Sequence, residues 1–153
     1  MSSLSKRKFS ARTRAGAFYF FFLAAIGSIG PFLYLAYRQH GLTASEIGVA
    51  IAVAHLMNFI AGPLWGSASD VLQRRGGPPL LAVACLGAGP SILLLQTARG
   101  LAPTLIAVVI WSFFAGSIFP QADAAILTLL GKEQNAYGRV RVWGSVGFVI
   151  ASL

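Results

Sequence analysis

Residues 62–75 read GPLWGSASDVLQRR and lie between two long apolar runs, which places an aspartate and two arginines at a membrane surface. Gly66 would let a neighbouring helix approach closely. Asp70, one turn further on, can pair with Arg74 or Arg75. Since such an ion pair can be made in one conformation and broken in another, we expect these four residues to take part in conformational gating.

The composition is that of an integral membrane protein. Hydrophobic residues make up 56% of the 153 residues, charged residues 10%, and the mean hydropathy is +0.72. A water-soluble domain of this composition would lack the polar residues to cover its surface. The net charge is +8, but the basic residues are split among separate loops, which argues against a nucleic-acid partner.

Metal, cofactor and enzyme chemistry find little support in the sequence. Cys85 is the only cysteine and lies inside an apolar span. Neither His40 nor His55 has a nearby acid or second histidine for metal binding or acyl transfer. We therefore expect no metal site and no cofactor, and a membrane-embedded enzyme is the least favoured function class.

Four full apolar spans and the start of a fifth predict an all-α transmembrane fold. Each full span is near the roughly 20 residues that cross a bilayer. The predicted bounds are 16–37, 46–69, 78–98, 103–130 and, incomplete, 139–153. The connections are short, so neighbouring helices should be antiparallel. Ser45 is the predicted N-cap of the second helix, with Glu46 in its first turn.

The basic residues predict the orientation. Ten of the twelve lysines and arginines lie in residues 1–15, in the connection after the second span, or between the fourth span and the first turn of the fifth, and only Arg38 and Arg99 lie on the other side. By the positive-inside rule, 1–15 is a basic cytoplasmic N-terminus, and we expect a multi-pass protein of the bacterial inner membrane. Tyr34 and Tyr37, near the outer end of the first span, are predicted to lie in an interfacial aromatic belt.

Polar side chains inside the spans are candidate binding residues, because each is costly unless it faces a cavity or a partner. His55 and Asn58 share one face of the second span, where they line a substrate path or form ordinary interhelical hydrogen bonds. Asp123 is the only acidic residue well inside a span. We favour a functional role for it over a purely structural ion pair.

The start of the fifth span carries a second polar face, on which Arg141, Ser145 and Phe148 lie together. An arginine, a hydroxyl and an aromatic ring suit a polar organic ligand. Asp123 and Arg141 are eighteen residues apart, with a polar turn midway between them. In an antiparallel hairpin, equal distances from the turn mean similar depth, so the two charges are predicted to pair.

Four stretches give the chain its resemblance to a known family. They are PFLY at 31–34, PLWGSASD at 63–70 with the two arginines that follow, PQAD at 120–123 and YGRVRVWGSVGF at 137–148. With them the chain resembles the major facilitator superfamily, in the branch of lactose permease, oligosaccharide:proton symporters and phenylpropionate permease. In the second stretch, Val71 and Gln73 replace a basic residue and a glycine of the superfamily's loop signature.

The resemblance implies a secondary active transporter, a proton-coupled symporter of a small organic solute such as a sugar, nucleoside or aromatic acid. In lactose-permease-like proteins, an acid three residues after the helix-four proline pairs with the second arginine of the helix-five motif and contacts the substrate. Asp123 and Arg141 match these positions. Phe148 falls where a sugar-stacking tryptophan would be.

Length is the larger departure from the family, whose members have twelve spans in two six-helix halves. We therefore expect this chain to be a truncated N-terminal part of a major facilitator-type bundle. Its expected partners are the lipid bilayer, a small-molecule substrate, protons and the missing C-terminal half. A non-transporting membrane remnant or an assembly partner is the alternative.

Overall fold

The computed structural model describes residues 10–74 and 80–153, with side chains at all of these positions except 73, 74 and 132–134. Over this part of the chain the predicted all-α class is confirmed. The helices are α1 (Ala11–Gln39), α2 (Ala44–Arg74), α3 (Leu80–Thr97), α4 (Leu101–Leu130) and α5 (Tyr137–Ser152), and a 3-10 segment, Gly131–Ala136, precedes α5.

Helices α1 to α4 are long and apolar enough to cross a membrane. Helices α1, α2 and α4 have 29 to 31 residues, so each is roughly 45 Å long and exceeds the roughly 30 Å hydrocarbon core. Each of the four also contains a proline and continues through it. Interior prolines are tolerated in membrane helices because neighbouring groups form hydrogen bonds with the backbone groups that the proline leaves unpaired.

The start of α2 corrects one prediction. Thr43, rather than Ser45, caps the helix: the Glu46 carboxylate accepts hydrogen bonds from the Thr43 backbone N–H and hydroxyl, each at 2.8 Å. The Glu46 backbone N–H donates in return to the Thr43 hydroxyl at 3.3 Å. The sequence Thr-Ala-Ser-Glu is a capping box, in which the acid lies three residues after the cap, and Ser45 therefore falls inside the first turn.

Residues 33–124 form one compact unit, with a core at the end where α1 leads into α2 and α3 into α4. The turn glycines Gly41 and Gly100 have φ of +89° and +76°, a conformation that favours glycine. The Gly100 N–H donates to the His40 carbonyl at 3.1 Å, which links the two turns. Tyr37 is only 2% exposed and belongs to this core, so its predicted place in an aromatic belt was wrong, whereas Tyr34 is exposed.

Residues 10–32 and 125–153 form the other compact unit, in which α1 and α5 run in the same direction and pack closely. A Cβ at Gly27 would lie 2.6 Å from the Phe148 carbonyl oxygen. At Gly147 it would lie 2.9 Å from the Phe20 carbonyl carbon. Backbone meets backbone at both places, which is the usual function of small residues at membrane helix interfaces.

Candidate functional site

A chain of polar contacts holds Arg141 in the unit formed by α1 and α5. Its guanidinium donates to the Tyr137 hydroxyl at 3.2 Å, and its Cζ lies 5.9 Å from the centre of the Tyr137 ring. The Tyr19 hydroxyl, on a fully buried residue of α1, donates to the same Tyr137 oxygen at 3.4 Å. The two tyrosines therefore orient an arginine whose side chain is exposed.

Sequence reasoning did not single out Tyr19 or Tyr137. The contact between Tyr137 and Arg141 could have been predicted from the sequence, because residues four apart lie on the same side of a helix. The contribution of Tyr19, 118 residues earlier in the chain, comes only from the packing of α1 on α5.

The other two predicted residues of α5 lie beside Arg141. Ser145 and Phe148 are exposed, and with Arg141 they occupy positions i, i+4 and i+7 of one helical face. The neighbouring face, with Val140, Gly144 and Gly147, is buried. Helix α5 thus separates a packing face from a face that presents a cation, a hydroxyl and an aromatic ring.

The predicted residues of α2 and α4 lie in the unit 33–124. Asn58 sits where α2 crosses α4: a Cβ at Gly116 would lie 3.0 Å from the Asn58 Cα and would clash with the side-chain amide. Asn58 therefore packs between two helices, which resembles the interhelical role predicted as the alternative to lining a substrate path. His55, one turn earlier, is exposed, and Asp123 is partly buried on α4. Since Asp123 and Arg141 belong to different units, their pairing stays a prediction.

Packing around the α2–α4 crossing adds residues that the sequence did not single out. The Trp65 indole N–H donates to the Phe113 carbonyl at 3.0 Å, and its ring packs against Phe113 and Phe114. Trp65 could have been singled out from the sequence, because a tryptophan within a span needs a hydrogen-bond acceptor for its N–H. Ser112 Oγ and Gln121 Nε2, both on α4, are buried with no hydrogen-bond partner among the described atoms.

The turn that follows α1 carries a histidine with a perturbed pKa. Burial lowers the pKa of His40, and the positive charge of Arg99 lowers it further. His40 Nδ1 is buried without a described partner. The neutral imidazole is therefore the favoured form at this end of the unit.

Comparison with known proteins identifies the family. The MFS_1 like family is matched over residues 13–153. The chain belongs to this family, and the predicted membership of the major facilitator superfamily is confirmed. It is therefore a multi-pass membrane protein from a family of transporters.

Three curated relatives of this major facilitator chain are named as transporters. Maltose permease of Geobacillus stearothermophilus is 28% identical over 137 residues, which are 89% of this chain and 34% of the permease. Uncharacterized transporter YwbF of Bacillus subtilis is 32% identical over 153 residues, covering 99% of this chain and 37% of the relative. Probable 3-phenylpropionic acid transporter of Escherichia coli is 27% identical over 138 residues, covering 88% of this chain and 35% of the relative.

The chain spans about a third of the length of these relatives. No solved structure gives a significant match. Within the described residues, no group of three or more His, Cys, Asp or Glu side chains could hold a metal ion.

The proposed gating residues of this major facilitator chain are only partly described. Asp70 is exposed near the end of α2, the Arg74 backbone belongs to the same helix, and Arg75 lies outside the described residues. No described atom lies within 4 Å of a Cβ built on Gly66. The expected close helix approach at Gly66 therefore stays a prediction, whereas on α4 a close approach is seen at Gly116.

Proposed function

We propose that this chain is part of a secondary active transporter that carries a small organic solute across the bacterial inner membrane together with protons. The single observation that carries the proposal is the family match over 13–153. Relatives named as transporters favour it over a non-transporting membrane remnant. Proton coupling rests on the resemblance to proton symporters, and the inner membrane and a cytoplasmic N-terminus rest on the distribution of basic residues.

The substrate is proposed to be a sugar, a nucleoside or an aromatic acid. Two relatives are named for maltose and for 3-phenylpropionic acid. The exposed face of α5 suits such solutes, because Arg141 supplies directional donors for hydroxyl or carboxylate groups. Ser145 adds a hydroxyl that can donate or accept, and Phe148, 40% exposed, offers an apolar ring.

Three further residues are proposed to contribute to the substrate site on the basis of the sequence. Asp123 is the acidic candidate for contact with substrate and for pairing with Arg141. His55 and Asn58 supply polar groups from α2. In the same way the gating residues are proposed to stabilise one conformation of the transporter; they are Gly66, Asp70, Arg74 and Arg75.

Transport by the product of the complete reading frame that contains this chain tests the proposal. The protein would be reconstituted in proteoliposomes, and uptake of labelled maltose, 3-phenylpropionate and uridine would be measured with and without an imposed pH gradient. We expect gradient-dependent uptake of one of the three solutes. Gradient-independent uptake would contradict proton coupling, and uptake of none would contradict the proposed substrate class.

Variants on α5 connect uptake to the proposed face. Phe148→Ala removes the ring and keeps the backbone that contacts Gly27, so we expect the KM to rise severalfold while the protein remains folded. Ile150→Ala is the matched control, because Ile150 is also exposed on α5 but lies on the opposite side of the helix from Arg141. Equal KM values for the two variants would remove Phe148 from the site. Asp70→Asn should lower turnover more than substrate affinity if Asp70 acts in gating.

A further inference from the structure

A groove of about 490 Å³ lies between the first turns of α1 and α5, within the unit that these two helices build. Arg12 and Arg139 line it in the first turns of their helices. Its apolar lining includes Gly16, Phe20, Phe21 and Trp143. The groove is therefore polar and basic at the helix starts and aromatic further along the helices.

The apolar lining is open to the surroundings. Phe21 is 71% exposed and Trp143 is 57% exposed. Trp143 Cδ1 lies 3.1 Å from the position of a Cβ on Gly16, so the absence of a side chain there lets the indole lie against α1 and form one wall. From Arg12 to Phe21 the helix rises roughly 14 Å, a depth that reaches from the headgroup level into the hydrocarbon of a bilayer.

The charge of this unit favours an anionic occupant. Its described side chains include four arginines and no aspartate or glutamate. Two guanidinium groups at one end of a groove match the oxygen atoms of a phosphate, which arginine binds with directional hydrogen bonds. The occupant must also have an apolar body that can lie against exposed rings.

We propose that the groove binds an anionic phospholipid, with the phosphate between Arg12 and Arg139 and an acyl chain along Phe20, Phe21 and Trp143. Basic pockets between membrane helices are known as sites for anionic headgroups, and tryptophan is enriched at the membrane interface. A soluble organic anion would leave the deep, exposed end of the groove unfilled. This site is separate from the proposed substrate face of Arg141, Ser145 and Phe148, and it stands even if transport of the proposed solutes fails.

Native mass spectrometry of the purified protein in dodecyl maltoside tests the proposal. Dioleoyl phosphatidylglycerol and dioleoyl phosphatidylcholine would be added in equal amounts, and the bound fraction of each would be measured. We expect selective retention of phosphatidylglycerol. The Arg12→Gln/Arg139→Gln double variant should lose it by at least tenfold, since each basic residue near the membrane surface contributes roughly fivefold.

The control variant Arg14→Gln/Arg38→Gln removes two exposed arginines that do not line the groove, and it should retain the lipid. Ala17→Phe fills the groove without changing charge and should reduce binding of phosphatidylglycerol, which keeps the test decisive if the double arginine variant fails to fold. Equal retention of both lipids, or equal loss in both double variants, would overturn the proposal. Displacement of phosphatidylglycerol by 3-phenylpropionate, with direct binding of that acid in lipid-free micelles, would assign the groove to a soluble anion instead.

Discussion

Alanine at Gly27 or Gly147 tests whether α1 and α5 pack backbone against backbone. A Cβ at Gly27 would lie 2.6 Å from the Phe148 carbonyl oxygen, and one at Gly147 would lie 2.9 Å from the Phe20 carbonyl carbon. A backbone carbonyl in a helix cannot rotate away, so each substitution must push the helices apart. Overpacking of this kind costs about 1 to 3 kcal/mol.

Helix propensity acts in the opposite direction and requires a control. Replacing glycine by alanine inside a helix favours folding by about 0.8 to 1 kcal/mol. Gly48→Ala has this gain alone, because Gly48 is inside α2 with nothing within 4 Å of its Cβ position. Gly30 also has open space around it but precedes Pro31, where an alanine would meet the proline ring, so it is a poor control.

Unfolding in mixed SDS and dodecyl maltoside micelles, followed by tryptophan fluorescence, gives the free energies. We expect Gly27→Ala and Gly147→Ala to be less stable than Gly48→Ala by about 1 to 3 kcal/mol. Gly16→Ala should fall between them, because its neighbour is the exposed indole of Trp143, a side chain that can move. Equal stability of the Gly27, Gly147 and Gly48 variants would refute the close packing of α1 on α5.

Thr43→Ala removes the N-cap of α2 and should cost about 0.5 to 2 kcal/mol by the same unfolding assay, whereas a Ser45→Ala variant of equal or lower stability would contradict the assignment of the cap. Trp65→Phe should lose about 0.5 to 1.5 kcal/mol through its hydrogen bond to the Phe113 carbonyl, beyond any effect of Trp111→Phe. Single cysteines at Ala44 and Asn135 in a Cys85→Ala background should react with an impermeant thiol reagent on intact cells at Ala44 only, and the reverse pattern would invert the proposed orientation. Asp123→Ala and Arg141→Ala should each impair substrate binding in the complete protein, and neutralising both should restore expression without restoring binding; a double variant that binds normally would leave the predicted pair without a role in recognition.

The apolar runs of the sequence were sufficient to predict those features of the fold that depend only on composition and local pattern. Helix class and approximate spans follow from runs near bilayer length, because that signal is contained within each segment. The N-cap was predicted wrongly although its signal is local. Thr43 and Glu46 form a capping box three residues apart, but Ser45 is also a favourable N-cap residue and lies nearer to the predicted start of the span. Tyr37 was misplaced because an aromatic residue near the end of a span is compatible with both an interface and a core, and only the contacts with residues such as Leu42 and Leu95 decide.

Contacts between distant residues could not be read from single segments, and the glycines show the reason. Gly27 and Gly48 both lie inside apolar helices, yet a side chain would clash at the first and meet open space at the second. Close approach depends on which face of a helix meets a neighbour, and that depends on the packing of the whole unit.

The packing of α5 on α1 also positions the side chains of the proposed substrate face. On α5, Gly144 and Gly147 fix the helix against Leu23 and Phe20 of α1, while Arg141 and its neighbours lie on the adjacent, exposed face. Tyr19 extends the effect, because it belongs to the buried core of the unit and its hydroxyl contacts the tyrosine that holds the Arg141 guanidinium. A binding group is most effective when neighbouring packing and hydrogen bonds fix its position. Changes at the glycine face should therefore alter substrate binding indirectly, by moving Arg141, whereas changes at Ser145 or Phe148 should alter binding and leave the stability of the α1–α5 pair unchanged.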